Sequence, residues 1–395
     1  MPIRQPEFEI LLNQIYSDSA ASIKDRTAMA ILFKHTQING LELSNRFIRS
    51  ATWEGLAAEN GGCTPELVKL MGELARGRVG MIITGHTYVH PAGQATTRQL
   101  GVDNDGRIDG LREMTAAVHA EGGRIIMQLA HGGLRADPQL TKTAPFGPST
   151  GEGLIKSPGR EMTTDDIHQV VRLFGQAAQR AKAAGFDGVQ IHTAHGYLLS
   201  QFLSPAFNQR SDPYGGTVEN RSRIVVEVFE SIRKAVGPDY PVLIKINSED
   251  FIKQGLPMDD FLQVAARLDA AGIDAVEVSG GTFLSGPMVP FRREITFERD
   301  QAYFRKATRA LKKMSKLPVI LVGGIRSYLL AERLVTEGVT DYISMCRPFI
   351  REPMLIKRWQ SGDLRKATCI SCNGCFGPAR AGRGVLCVED TQWKS

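Results

Sequence analysis

Two histidines and a tyrosine fall within six residues of the segment VQIHTAHGYLLSQFLSP (189–205): His192, His195 and Tyr197, with Gly196 before the tyrosine. Imidazoles donate and accept hydrogen bonds near neutral pH, and a phenol carries a proton that can be handed to a reacting atom. From these residues alone two readings are open. Polar side chains close a buried strand, or a site here holds an oxygen and moves a proton. A second cluster lies near the end of the chain, where Cys369, Cys372, Cys375 and Cys387 are spaced x2, x2 and x11. Three close thiols with a distant fourth suit a [4Fe–4S] site. Zinc is the alternative, although zinc sites usually pair two C-x2-C knuckles. In a reducing compartment such crowding points to a metal or cluster rather than to disulfides.

The elements that carry these residues follow from hydrophobic periodicity. After LFKHTQINGLELSN, whose Asn39-Gly40 signals a hairpin, eight short apolar runs recur at 45–52, 80–89, 124–130, 188–194, 241–247, 275–281, 318–324 and 342–348. Amphipathic stretches such as DDIHQVVRLFGQAAQRAKAAG separate them, closed by glycines suited to a left-handed cap. This alternation predicts a parallel sheet covered by helices, and eight units predict an α/β fold of the (β/α)8 TIM-barrel type rather than a doubly wound open sheet. His192 then stands where strand four ends.

Catalytic groups of such barrels lie at the C-terminal strand ends. Those positions hold Thr52 and Trp53 after strand one, Gln128 in strand three and Lys245 in strand five. Gly323–Gly324 after strand seven and Arg347 after strand eight match the usual phosphate site of a barrel, where backbone N–H groups and a guanidinium hold an anion. Taken alone the glycine pair is a tight turn. Lys245, in mid-strand, needs an anionic partner or a cofactor; an ion pair with Glu277 or Asp250 is its structural alternative. Gln128 offers a donor and an acceptor to a planar heterocycle. Together these residues describe a phosphorylated, planar, electron-poor cofactor beside two imidazoles and a phenol.

The 395 residues, 42% hydrophobic and 23% charged, suffice for a large core. A formal charge of +6 without a basic block argues against nucleic acid as a partner. No apolar run reaches membrane-spanning length, and the start does not read as a signal peptide, so no membrane partner and a cytoplasmic location are expected. The expected organisation is a leader over 1–30, a barrel over 31–360 and a cysteine-rich tail over 361–395. Residues 132–163 form a connection long enough for a lid, and the segment after strand six can also cover the mouth. RSDPYGGTVENRSR reads as a structural loop held by ion pairs.

Here the chain resembles the old yellow enzyme family. HTAHGYLLSQFLSPAFNQRSDPYGGTVENRSR (192–223) carries the likeness, with QLAHGG, VGGI and SMCRPF in support, over about residues 31–355. The resemblance implies FMN as cofactor, NADH or NADPH as hydride donor, and reduction of the C=C bond of α,β-unsaturated carbonyl compounds. It implies that His192 and His195 hydrogen-bond the substrate carbonyl, and that Tyr197 protonates the α carbon as flavin N5 gives hydride to the β carbon. It places Ala51, Thr52, Gln128, Lys245, Gly323, Gly324, Cys346 and Arg347 around the flavin. Two positions depart from the pattern. Lys245 stands where Arg is common, and Trp53 stands where many relatives have Thr or Cys.

The cysteine pattern is similar to that of the iron–sulfur members, 2,4-dienoyl-CoA reductase and trimethylamine dehydrogenase. Those relatives continue into nucleotide-binding domains, whereas these 395 residues hold no G-x-G-x-x-G after a strand. A cluster is therefore expected either to need an outside electron-donor protein or to be vestigial. The other functions weighed are an electron-transfer subunit and an FMN enzyme acting on amine or nitro substrates. A cofactor-free aldolase or isomerase is disfavoured. A homo-oligomer is the default expectation.

Overall fold

The computed structural model describes residues 30–156 and 158–390. The expected leader, except Ala30, lies outside the described residues. The chain enters through a short hairpin, β1 (Thr36–Ile38) and β2 (Leu41–Leu43), turning on Asn39 and Gly40 at φ 43° and 76°. Positive φ at both turn positions is what makes Asn-Gly favourable there.

Eight parallel strands follow, each with a helix after it. They are β3 (Phe47–Arg49), β4 (Met81–Ile83), β6 (Ile125–Ala130), β9 (Gly188–Thr193), β10 (Val242–Asn247), β11 (Ala275–Ser279), β12 (Val319–Val322) and β13 (Tyr342–Met345). β13 pairs with β3 and β4 with β6, so the sheet closes on itself as the repeats predict. Three shorter strands sit outside this ring: β5 (Thr87–Tyr88) and the pair β7 (Phe146–Gly147) and β8 (Arg160–Glu161).

Local signals explain the helix boundaries. Thr163 and Asp166 form a reciprocal capping box at the start of Thr164–Ala183. Gly272, at φ 92°, ends Met258–Ala271 in the left-handed conformation.

Along the strands the interior changes character. Near the N-terminal ends it is apolar, with Ile48, Met81, Ile83, Ile126, Leu243 and Ile320 in one buried cluster. Ile38 and Leu43 of the hairpin belong to the same cluster and plug that end. Two residues further along, the same inward positions turn polar: Gln128, Lys245, Glu277 and Ser344. Side chains two apart in a strand share a face, so this polar layer lies directly above the apolar one. In register, Lys245 faces Glu277 on one side and His192 on the other.

The segment 132–163, whose length suits a lid or binding loop, has local structure and is clasped. It contains a 3-10 turn at Gly133–Arg135, a helical turn at Pro138–Thr141 and the β7–β8 pair. Arg210 donates from Nη1 to the carbonyls of Pro148 and Met162 and pairs with Asp212. Arg221 binds Asp260 at 2.6 Å. The charged stretch 210–223 is held by ion pairs as expected. No helix among the described residues is long and apolar enough to cross a membrane.

If the hairpin plugs the barrel, Leu43→Ala should cost about 2–5 kcal/mol of unfolding free energy through the cavity it leaves. Urea denaturation measures this, and a loss below about 0.5 kcal/mol would show that the plug carries no packing energy.

Candidate active site

A cavity of about 500 Å³ opens where the barrel strands end. Its wall includes all three candidate catalytic residues and all eight candidate cofactor contacts. β9 delivers His192 near its end and the chain then bends sharply, with His195 at φ 65° and Gly196 at φ 77°. A side chain is costly in that region, and a Cβ on Gly196 would also come within 2.9 Å of the Phe283 ring. The bend brings the ring of Tyr197 to 4.7 Å from that of His192, with His195 5.2 Å from His192 on its other side.

Hydrogen bonds fix the group. The His195 backbone N–H donates to Asn247 Oδ1, and its Nε2 lies 2.8 Å from Ser279 Oγ. His192 Nδ1 is buried and unpartnered, as a donor awaiting a ligand would be. Burial, aided by Lys245 and neighbouring imidazoles, holds both histidines well below their ordinary pKa. The two imidazoles are therefore neutral at physiological pH. Burial raises the Tyr197 phenol, partly offset by the Arg135 charge, and so keeps it protonated.

The floor is a buried polar network. Glu277 Oε1 accepts from Ser50 Oγ at 2.8 Å, Ser344 Oγ at 2.9 Å and Lys245 Nζ at 3.2 Å. Its Oε2 accepts from Gln190 Nε2 at 2.8 Å, and Gln190 Oε1 accepts from Gln128 Nε2 at 2.7 Å. Lys245 thus has the ion pair that was its structural alternative, with Glu277 and not Asp250, while it also lines the cavity. Burial alone would raise the Glu277 pKa, but Lys245 and the three neutral donors outweigh it and hold the carboxyl ionised.

At the opposite end, Gly323 and Gly324 have φ 132° and 71° and lie under the Tyr303 ring, which a Cβ would approach to 3.0 and 2.9 Å. Arg347 stands beside them but is already engaged, donating from Nη1 to Asn373 Oδ1 at 2.6 Å and to the Arg292 carbonyl at 2.9 Å. Arg326 lines the same end with a buried, unpartnered Nε. Thr52 Oγ1 donates to Cys346 Sγ at 2.9 Å, and Trp53 Nε1 reaches the Thr97 carbonyl at 3.2 Å.

Sequence reasoning missed three of these side chains. His86 Nε2 lies 3.4 Å from Tyr197 Oη, and Arg135 and Arg326 line the wall. Only Arg326 had a usable signal, two residues after the glycine pair.

The four tail cysteines are free thiols that line one small cavity behind Arg347, and the Gly374 N–H points to Cys372 Sγ at 3.4 Å. Among the described residues no group of three or more His, Cys, Asp or Glu is arranged to hold a metal ion.

Residues 31–365 match the NADH:flavin oxidoreductase / NADH oxidase family. The chain belongs to that family. It is 36% identical over 355 residues to the NADH oxidase of Thermoanaerobacter brockii, covering 88% of this chain and 53% of that protein. The solved complex of 2-naphthoyl-CoA reductase with 2-naphthoyl-CoA superposes with a TM-score of 0.84 at 30% identity, covering 90% of this chain and 56% of that one. An old yellow enzyme homologue from Zymomonas mobilis gives 0.73 at 25% identity, covering 86% and 95%. The chain thus spans about half the length of the first two.

Membership in the NADH:flavin oxidoreductase family carries FMN and a nicotinamide donor, and the residues present fit a flavin. The Gly323–Gly324 cradle and the unpartnered Arg326 Nε suit its phosphate, while the Gln128 carboxamide and Lys245 border the space for its ring. The family match ends at residue 365, before the first tail cysteine.

Because Lys245 and Glu277 depend on each other, Glu277→Gln should cost about 3–5 kcal/mol, the cost of stranding a buried charge. The depressed Glu277 pKa contributes stability above its ordinary value of 4.5, which is lost as pH falls through the lower folded value. Calorimetry from pH 7 to 3 should show this loss in the native protein and a smaller acid dependence in the variant. Equal profiles would rule out an ionised Glu277.

Proposed function

We propose that the chain is an FMN-dependent ene-reductase that reduces the C=C bond of α,β-unsaturated carbonyl compounds. The observation that carries this reading is the buried, unpartnered His192 Nδ1 beside the protonated Tyr197 at the cavity mouth. Bound FMN, reduced by NADH or NADPH, would supply the hydride from N5 to the β carbon. The chain's own residues do the rest. His192 donates to the substrate carbonyl oxygen and draws electron density from the double bond. Because its imidazole is neutral, it polarises that oxygen without giving up its proton. His195, braced by Ser279, flanks it. Tyr197 delivers its proton to the α carbon and regains one from solvent. Lys245 and Gln128 orient the flavin ring, and the glycine cradle with Arg326 and Arg347 anchors its phosphate.

We further propose that Cys369, Cys372, Cys375 and Cys387 bind a [4Fe–4S] cluster that exchanges electrons with a donor protein. One observation supports it: the four thiols share one cavity. The x2, x2 and x11 spacing, three close thiolates with one distant fourth, suits a cubane better than paired zinc knuckles.

Tyr197→Phe removes the acid and keeps the ring, so stopped-flow should show enone reduction slowed about 10²–10⁴-fold, with flavin reduction by nicotinamide little changed. Impairment of both half-reactions alike would reject Tyr197 as the acid. Turnover of amine or nitro substrates with no enone reduction would favour the other flavin chemistries.

Anaerobically purified protein should contain about four irons per chain, and Cys372→Ser should lose them while keeping FMN. Zinc without iron in metal analysis would reject the cluster.

A further inference from the structure

The cavity wall carries five lysine and arginine cations, of which three have a place in the arrangement above. Lys245 is paired with Glu277, and Arg326 and Arg347 stand at the glycine cradle. Arg380 is an exposed residue of the tail. Arg135 is the fifth. It comes from the 3-10 turn after β6 and stands at the Tyr197 end, away from the phosphate cradle. Arg135 forms no ion pair among the described residues, and its Nε is buried without a hydrogen-bond partner. The one acid on the cavity wall near it, Asp137, instead caps the following turn by accepting from the Gln139 N–H.

The position of Arg135 is built. Its guanidinium stacks on the Phe283 ring at 4.2 Å. That ring sits in the space left by the missing Cβ of Gly196, directly before Tyr197. Stacking fixes the plane of the guanidinium, which hydrogen-bonds the Tyr197 hydroxyl and leaves the rest of its edge for a ligand. A half-buried cation held in one orientation without a counter-charge costs free energy unless an anion completes it. The space it faces is the space where the substrate reacts.

We propose that Arg135 binds a carboxylate on the substrate, so that the cavity takes α,β-unsaturated carbonyl compounds bearing a free acid group in preference to neutral ones. This rests on the ene-reductase reading for the identity of the reacting bond, but not for the carboxylate contact. A planar guanidinium edge matches a carboxylate with two parallel hydrogen bonds.

The test separates binding from turnover. With FMN-loaded protein, isothermal titration calorimetry would compare 4-oxopentanoate with its methyl ester, neither of which has a C=C bond to reduce. The acid should bind about tenfold or more tightly than the ester, the range of one charge-assisted contact. Arg135→Gln should bring the two within about twofold of each other, and Arg135→Lys should keep part of the preference. Equal binding of acid and ester by the native protein overturns the proposal, even if the variants do not fold. So does a preference that survives Arg135→Gln, or a variant that loses affinity for NADH or NADPH alone, since Arg135 would then serve the nicotinamide. Turnover of 4-oxopent-2-enoate judges the reaction separately. Binding preference without its reduction would leave the carboxylate site standing and reject the ene-reductase reading. Reduction without preference would do the reverse.

Discussion

One buried carboxylate governs the inside of the barrel. Glu277, fully inaccessible on β11, gathers Lys245 from β10, Gln190 from β9, Ser344 from β13 and Ser50 just beyond β3. Through Gln190 it also reaches Gln128 on β6. Neither charge of the pair is tolerable alone at that depth, so each fixes the other, and the neutral donors fill the remaining lone pairs. The result is a rigid polar floor laid on an apolar plug. Its consequences rise upward, because Lys245 helps keep His192 and His195 neutral.

The two ends of the cavity then acquire different characters. At the cradle, two glycines under Tyr303 and two arginines suit a fixed anion. At the other end, uncharged imidazoles and a protonated phenol stand ready to polarise an oxygen and move a proton, with one oriented guanidinium beside them. A cofactor that spans from one end to the other meets the floor along its length. This arrangement explains why the strand-end positions carry so many polar side chains in a protein whose strands are otherwise apolar.

The barrel itself was legible because its signals are local and repeated. Each of the eight strands falls within its apolar run, and Asn39-Gly40 marks the hairpin. His192, His195 and Tyr197 were legible because they lie at the end of strand four or within a few residues after it. His86 was hidden by the same logic applied too far. The run 80–89 reads as one strand, but β4 stops at Ile83 and β5 begins at Thr87, which puts His86 in the gap between them, at the mouth. Arg135 was hidden in a segment that looked unstructured, whose shape depends on tertiary contacts: Gln201 holds the turn at Gly132 and Leu134, and Arg210 clasps Pro148 and Met162. The Lys245–Glu277 pair shows a third kind of limit. Each residue is visible alone, but their register depends on how neighbouring strands align.

The central claim is that this cavity passes reducing equivalents from a nicotinamide, through FMN, to an activated C=C bond. Anaerobic titration of the FMN-loaded protein, followed by its visible absorbance, tests it most directly. NADH or NADPH should bleach the flavin, and addition of an enone under strict exclusion of oxygen should restore the oxidised spectrum with formation of the saturated product. A protein that binds no FMN, or a reduced flavin that dioxygen reoxidises but the enone does not, would contradict the account.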